Sequence, residues 1–175
     1  CGHGHADNVA PALFGGFTLI KSYEPLEVIA LPIPKLFCAL LYPHVDVPTR
    51  DARQIIRSKV LLKDAVTQWG NIAGLISALY THDYDLLGRS LKDVIIEPIR
   101  SILIPEFDRM KEIAMENGAL GFGISGSGPT VFSLYKSSDD AQKVLQLLKK
   151  LLSNIGVNSN IYLSEINETG PIILA

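Results

Sequence analysis

An α+β domain is the fold class this chain predicts, and three observations carry it. The Gly126-Ser127-Gly128 loop lies between two apolar runs that alternate as strands do: Leu120, Phe122, Ile124, then Thr130, Phe132, Leu134. Residues 36–42 (Leu36-Phe37-Cys38-Ala39-Leu40-Leu41-Tyr42) are apolar on both faces, as a central strand must be. Between these runs lie long segments whose apolar residues recur every 3.6 positions, the mark of a helix packed on one side.

From the N-terminus, Val9, Ala12 and Leu13 predict a short helix, with Asp7 or Asn8 as its cap and Gly15-Gly16 as its end. Residues 17–21 and 26–33 read as strands, and Pro32-Ile33-Pro34-Lys35 marks a boundary before the central strand. Residues 61–82 form the clearest helix, with Leu62, Ala65, Val66, Trp69, Ile72, Ala73, Ile76, Leu79 and Tyr80 in one stripe. Trp69 is expected in the core with the rest of that stripe. A shorter helix follows at 83–91. Glu97-Pro98-Ile99-Arg100 places Pro at a helix start, and Arg100 in a first turn sets a cation against the dipole, an arrangement that invites an anion. Helices over 107–117, closed by Gly118, and over 139–152 precede and follow the paired strands, and residues 158–164 make the last strand. Strand, helices, two strands, helix, strand is the order of a ferredoxin-like split βαβ domain with inserted helices.

Composition limits the function. With 16 basic and 18 acidic residues, the net charge of −2 offers nucleic acid no electrostatic footprint. At 175 residues the chain can bury one good core, and no run approaches a membrane span. Two cysteines, Cys1 and Cys38, make no disulfide framework, and a reduced, cytoplasmic chain is the simpler expectation. His3 and His5 lack Cys or Glu at ligand spacing, so no metal site is expected in this chain.

Some polar groups ask for a chemical role. Thr49 is placed as a helix cap, with Arg53 one turn later on the same face. A hydroxyl and a guanidinium so arranged can grip a carboxylate or phosphate, although a solvated helix face accounts for them equally well. The Gly/Ser loop lets another group approach the main chain. It is no Walker loop, because no Gly-Lys-Ser/Thr follows and Pro129 opens a strand. An ordinary hairpin turn is the plainer alternative.

Five stretches, in order, resemble the homoserine kinases of the GHMP kinase superfamily. They are His5-Ala6-Asp7-Asn8-Val9-Ala10-Pro11-Ala12, Val47-Pro48-Thr49-Arg50-Asp51-Ala52-Arg53, Thr67-Gln68-Trp69-Gly70-Asn71, Ile95-Ile96-Glu97-Pro98-Ile99-Arg100 and Gly123-Ile124-Ser125-Gly126-Ser127-Gly128-Pro129. The last belongs to the whole superfamily; the first two point to homoserine kinase. The resemblance implies transfer of the γ-phosphoryl group of ATP to the hydroxyl of L-homoserine, with Mg²⁺, toward threonine. It implies that His5, Asn8, Arg53 and Arg100 line the substrate site, the two arginines on the α-carboxylate, with Thr49 near the reacting end as candidate catalytic residue. Ser125, Gly126, Ser127 and Gly128 would pack beside the phosphate loop. Asp7 is the nearest candidate base and reads better as structural.

The family's own phosphate loop, Pro-x-x-x-Gly-Leu-Gly-Ser-Ser, does not occur in this sequence, and its acidic Mg²⁺ ligand has no counterpart here. The chain is therefore expected to be a C-terminal fragment, residues 1–35 the tail of a first domain and 36–175 a second domain. Alone it is expected to be inactive; intact, a homodimer. Two alternatives are a GHMP kinase acting on another small alcohol and a non-catalytic small-molecule-binding domain.

Overall fold

The computed structural model describes residues 5–46 and 59–172. Helix α1 (Ala6–Phe14) leads into an antiparallel hairpin of β1 (Phe17–Tyr23) and β2 (Leu26–Leu31). A second sheet holds β3 (Phe37–Pro43), β4 (Gly121–Ile124), β5 (Val131–Tyr135) and β6 (Ser159–Glu165), in the order β4-β5-β3-β6. Every neighbouring pair in it is antiparallel. Between β3 and β4 come α2 (Leu62–Thr81), α3 (Tyr84–Ser90), the one-turn α4 (Glu97–Arg100) with a 3₁₀ turn at Ser101–Leu103, and α5 (Phe107–Glu116). Helix α6 (Ser138–Asn154) joins β5 to β6. The four strands thus lie second, third, first, fourth in chain order, which is the split βαβ arrangement expected.

The centre of the sheet follows from its sequence. In β3, Leu41 pairs with Val131 on one side and Ile161 on the other, so this strand has no free edge and both its faces are covered. Ala39 and Leu41 point into a core with Met110 and Ala114 of α5 and Val144, Leu145, Leu148 and Leu152 of α6. Cys38 points the opposite way, toward Leu36, Leu134, Leu79 of α2 and Leu87 of α3. Fully burying a leucine contributes roughly 1.5–3 kcal/mol, so the leucines of α6 alone fix that helix on the sheet. Ser137 caps α6 by accepting from Asp140 N at 3.4 Å, and Asp83 caps α3 by accepting from Leu86 N at 2.9 Å.

Three local expectations need correction. Trp69 is not in the core: it is 62% exposed, and Leu62, Val66 and Tyr80 on the same stripe are exposed with it. Helix α2 is apolar on more than one face, and the face that packs is the one carrying Ala78 and Leu79. A 3.6-residue period places residues on a common stripe but does not say which stripe a neighbour covers. The cap of α1 is His5, without a side-chain bond, and Asp7 lies inside the first turn, where its charge suits the dipole. Val9 and Leu13 are exposed, and Ala10 is the buried residue of that helix. Finally, α4 is a single turn that Arg100 closes, so the cation does not oppose a helix dipole as expected. The reason for an anion near Arg100 must come from its contacts instead.

Candidate active site

A cleft of about 210 Å³ lies between the inner face of α2, the segment 90–97, α4 and the β4–β5 hairpin. The segment that forms its rim is held by two polar side chains on the cleft side of α2, beside Ile72 and Leu75. Gln68 Oε1 accepts from Val94 N at 3.0 Å, and Asn71 Nδ2 donates to the Lys92 carbonyl at 3.0 Å. Asp93 then gathers the start of α4. Its Oδ1 accepts from Ile95 N and Ile96 N, both at 2.8 Å, and its Oδ2 from Glu97 N at 3.2 Å. Backbone donors at a helix start have no partner within the helix, and a carboxylate there satisfies them and suits the dipole.

At the other end of the turn, Arg100 Nη1 donates to the Gly126 carbonyl at 2.9 Å. This bond joins the Arg100 motif to the Gly/Ser loop, two stretches 26 residues apart in sequence. Arg100 Nε is buried and has no partner among the described residues. A guanidinium carries five N–H donors in a planar fork, so most of this one remains free for a ligand. Glu97, also on the wall, is tied to Lys111 of α5 in a half-buried ion pair, which cancels its charge locally. Lys111 in turn sits 5.9 Å from the centre of the Phe107 ring. Of the cationic residues that line the cleft, Arg100 and Lys92 make no ion pair among the described residues. The cleft therefore presents positive charge and an apolar floor of Phe122, Ile124 and Phe132, which suits a small molecule with a carboxylate.

The Gly/Ser loop is the tip of the β4–β5 hairpin, as its alternation predicts. Ser125 N donates to the Thr130 carbonyl at 2.8 Å and Gly128 N to the Ser125 carbonyl at 3.0 Å. Ser125, Gly126 and Ser127 are exposed. His5 and Asn8 are exposed at the start of α1, and among the described residues their hydrogen bonds stay within that helix. Thr49 and Arg53 lie outside the described residues. Of the expected site residues, the fold thus joins Arg100 to the loop. Gln68, Asn71, Asp93 and the Glu97–Lys111 pair carry no role in the sequence reading. Their signal was a polar i, i+3 pair within a helix and an Asp shortly before a proline-led turn. Gly121 gives a further sign: a Cβ there would meet Leu91 at 2.6 Å, so the strand is stripped to let the rim pass close. Among the described residues the groups with displaced pKa values line no part of the cleft; one is Arg109, raised by its bond to Glu112. Burial pushes the Cys38 thiol up to about 11 and the Tyr135 phenol up to about 12.

Comparison with known proteins decides the family. The family described as GHMP kinases C terminal matches residues 75–154. The homoserine kinase of Chlorobium phaeovibrioides is 46% identical over 99% of this chain, and that of Chlorobaculum tepidum is 43% identical over 100%. The crystal structure of homoserine kinase from Cytophaga hutchinsonii superposes with a TM-score of 0.96 at 49% identity, over 99% of this chain and 56% of that one. The chain belongs to the GHMP kinases. It spans about 55% of the length of the curated relatives it matches. The matched GHMP kinase segment runs from within α2 to the end of α6, so it contains the cleft rim, Arg100 and the Gly/Ser loop. Among the described residues no helix is long and apolar enough to cross a membrane.

Proposed function

We propose that this chain is the C-terminal part of a homoserine kinase, which transfers the γ-phosphoryl group of ATP to the side-chain hydroxyl of L-homoserine. Residues 36–175 form its second domain and residues 1–35 the end of its first. The observation that carries the reading is Arg100: a guanidinium on the cleft wall, held by one N–H to Gly126, with its buried Nε unpaired among the described residues. A planar fork of donors beside an apolar floor matches an amino-acid carboxylate better than a neutral alcohol. Arg53 supplies the second grip, His5 and Asn8 contact the rest of the substrate, and Thr49 lies at the reacting end. Homoserine kinases matched along the whole chain at 41–46% identity support the choice of substrate over other alcohols.

Phosphoryl transfer passes through a loose transition state, so alignment of the hydroxyl with the phosphorus and neutralisation of charge supply most of the catalysis. Arg100 serves alignment, because a substrate gripped at its carboxylate presents its hydroxyl at a fixed distance. The exposed tip Ser125-Gly126-Ser127 borders the phosphate end. The described residues do not fit a Mg²⁺ site: no three metal-binding side chains gather among them, and the cleft carboxylates are engaged, Asp93 by backbone N–H groups and Glu97 by Lys111. No step is assigned to the metal here. In the cell the enzyme works in the cytoplasm, in threonine biosynthesis, as a homodimer.

The test compares homoserine with 3-aminopropan-1-ol, which is homoserine without its carboxylate, as substrates of the full-length kinase. Losing the carboxylate removes a charge-assisted contact of about 2–3 kcal/mol, or roughly 30- to 160-fold in kcat/KM. Arg100→Ala narrows that preference. Equal use of the two alcohols by the unmodified enzyme contradicts the reading.

A further inference from the structure

We infer that Asp93 and Gln68, whose side-chain oxygens accept from backbone N–H groups of the cleft rim, are positioning residues for homoserine: they aim the Arg100 guanidinium and so set the affinity for the carboxylate. The inference rests on the reading that Arg100 takes that carboxylate.

The argument begins with the size of α4. Four residues make one turn, and a single turn cannot hold its own geometry in water, because nucleating a helix fixes several dihedrals for one hydrogen bond. Arg100 stands at the end of that turn; its bond to the Gly126 carbonyl holds the tip of the guanidinium, and the start of the side chain is placed by whatever holds the turn. Three neighbours do so. Asp93 binds the backbone N–H groups of Ile95, Ile96 and Glu97 with one carboxylate. Gln68 reaches across from α2 to hold Val94 N at 3.0 Å, immediately after Asp93. Lys111 of α5 holds the Glu97 side chain.

These contacts differ in what they control. The Glu97–Lys111 pair ties the turn to α5 through two long side chains. The Asp93 and Gln68 bonds fix the backbone itself, which sets where the Arg100 side chain starts. A hydrogen-bonded fork tolerates little misdirection, because such bonds weaken steeply with angle. Releasing the turn leaves Arg100 present and charged but spreads its directions. The loss falls on the group that Arg100 binds, the carboxylate, and spares nucleotide affinity.

The experiment measures homoserine KM, ATP KM, kcat and melting temperature on the full-length kinase. The variants are Asp93→Ala, Asp93→Asn, Gln68→Leu, Gln68→Glu, Arg100→Ala and the Asp93→Ala/Arg100→Ala double. Asp93→Ala is expected to raise homoserine KM tenfold or more while ATP KM changes less than twofold. Asp93→Asn, which keeps an acceptor oxygen but sets an amide N–H₂ against Glu97 N, falls between. Gln68→Leu raises homoserine KM severalfold, and Gln68→Glu restores it, because only the acceptor oxygen of Gln68 is used. In the Arg100→Ala background, adding Asp93→Ala changes homoserine KM less than twofold, since there is no guanidinium left to aim. A full, additive penalty in that background overturns the inference. So does a lowered melting temperature with an unchanged homoserine KM in the single Asp93 variants. Should Asp93→Ala fail to fold, the Gln68→Leu and Gln68→Glu pair decides by the same criteria. An Arg100→Ala enzyme with unchanged homoserine KM refutes the carboxylate reading itself, a different outcome from additivity.

Discussion

Replacing Gly126 by alanine separates a functional loop from a simple hairpin turn. Gly126 has φ of +61°, and a Cβ built there meets no atom within 4 Å. The substitution therefore costs only the left-handed backbone, about 1–2 kcal/mol for an L-residue. Relatives of this chain are nearly twice its length, and in a kinase of that size each kcal/mol moves the melting temperature by roughly 1–2 °C, so the drop should be about 1–4 °C. Gly128, at φ of +79°, is a sharper case: a Cβ there would lie 3.3 Å from Ile124 and 3.4 Å from Ile104 side-chain carbons. Crowding adds to the backbone cost, and Gly128→Ala should melt lower than Gly126→Ala. The open space above Gly126 borders the cleft where the substrate hydroxyl and the phosphate are proposed to meet. Gly126→Ala should thus lose at least tenfold in kcat/KM at 25 °C, where about 1–2 kcal/mol of lost stability still leaves the protein folded. The assay is ADP release by the full-length kinase, run beside thermal melts of the same preparations. A Gly126→Ala enzyme with the expected melting drop and full activity would show that glycine serves the turn alone.

Arg100→Ala and Arg53→Ala should each raise homoserine KM by roughly 30- to 160-fold, from about 2–3 kcal/mol of lost charge-assisted bonding, with ATP KM little changed; steady-state kinetics with each substrate varied in turn checks both. Tyr135→Phe removes a buried hydroxyl that has no partner among the described residues, so urea unfolding should show stability unchanged or raised by up to about 1 kcal/mol. Burial raises the Cys38 thiol from 9.0 to about 11 and the Tyr135 phenol from 10.0 to about 12, so the folded state holds both protons longer than the unfolded chain does. Their stabilisation is present below about pH 9 and is lost as pH rises toward 11 and 12; the alkaline fall in unfolding free energy should be shallower in Cys38→Ala/Tyr135→Phe.

The sheet was legible because its signals are local. Alternation on both sides of Ser125–Gly128 specifies a hairpin, and a strand apolar on both faces has to be central. Helix α6 was legible for the same reason, since one apolar stripe defines it, although its capping Ser137 was not singled out. What covers α2 was not legible, because Trp69 and Leu79 lie on different apolar faces and packing against the sheet selects only one of them. The reason for Arg100 was also misread. What the fold shows is a bond from Arg100 to Gly126, with Asp93 and Gln68 holding the segment before its turn, and contacts between distant segments leave no periodicity in the chain. His5 and Asn8 were singled out by resemblance, and the hydrogen bonds of their own helix show nothing that would mark them.

The most direct test of the central claim is to identify the phosphorylated product. The full-length kinase is incubated with Mg-ATP and an equimolar mixture of L-homoserine, mevalonate and galactose, and the products are resolved by ³¹P NMR and mass spectrometry. O-phospho-L-homoserine, formed in step with ADP and suppressed by Arg100→Ala, is the predicted result. Phosphorylation of another alcohol while homoserine is left untouched would contradict the account.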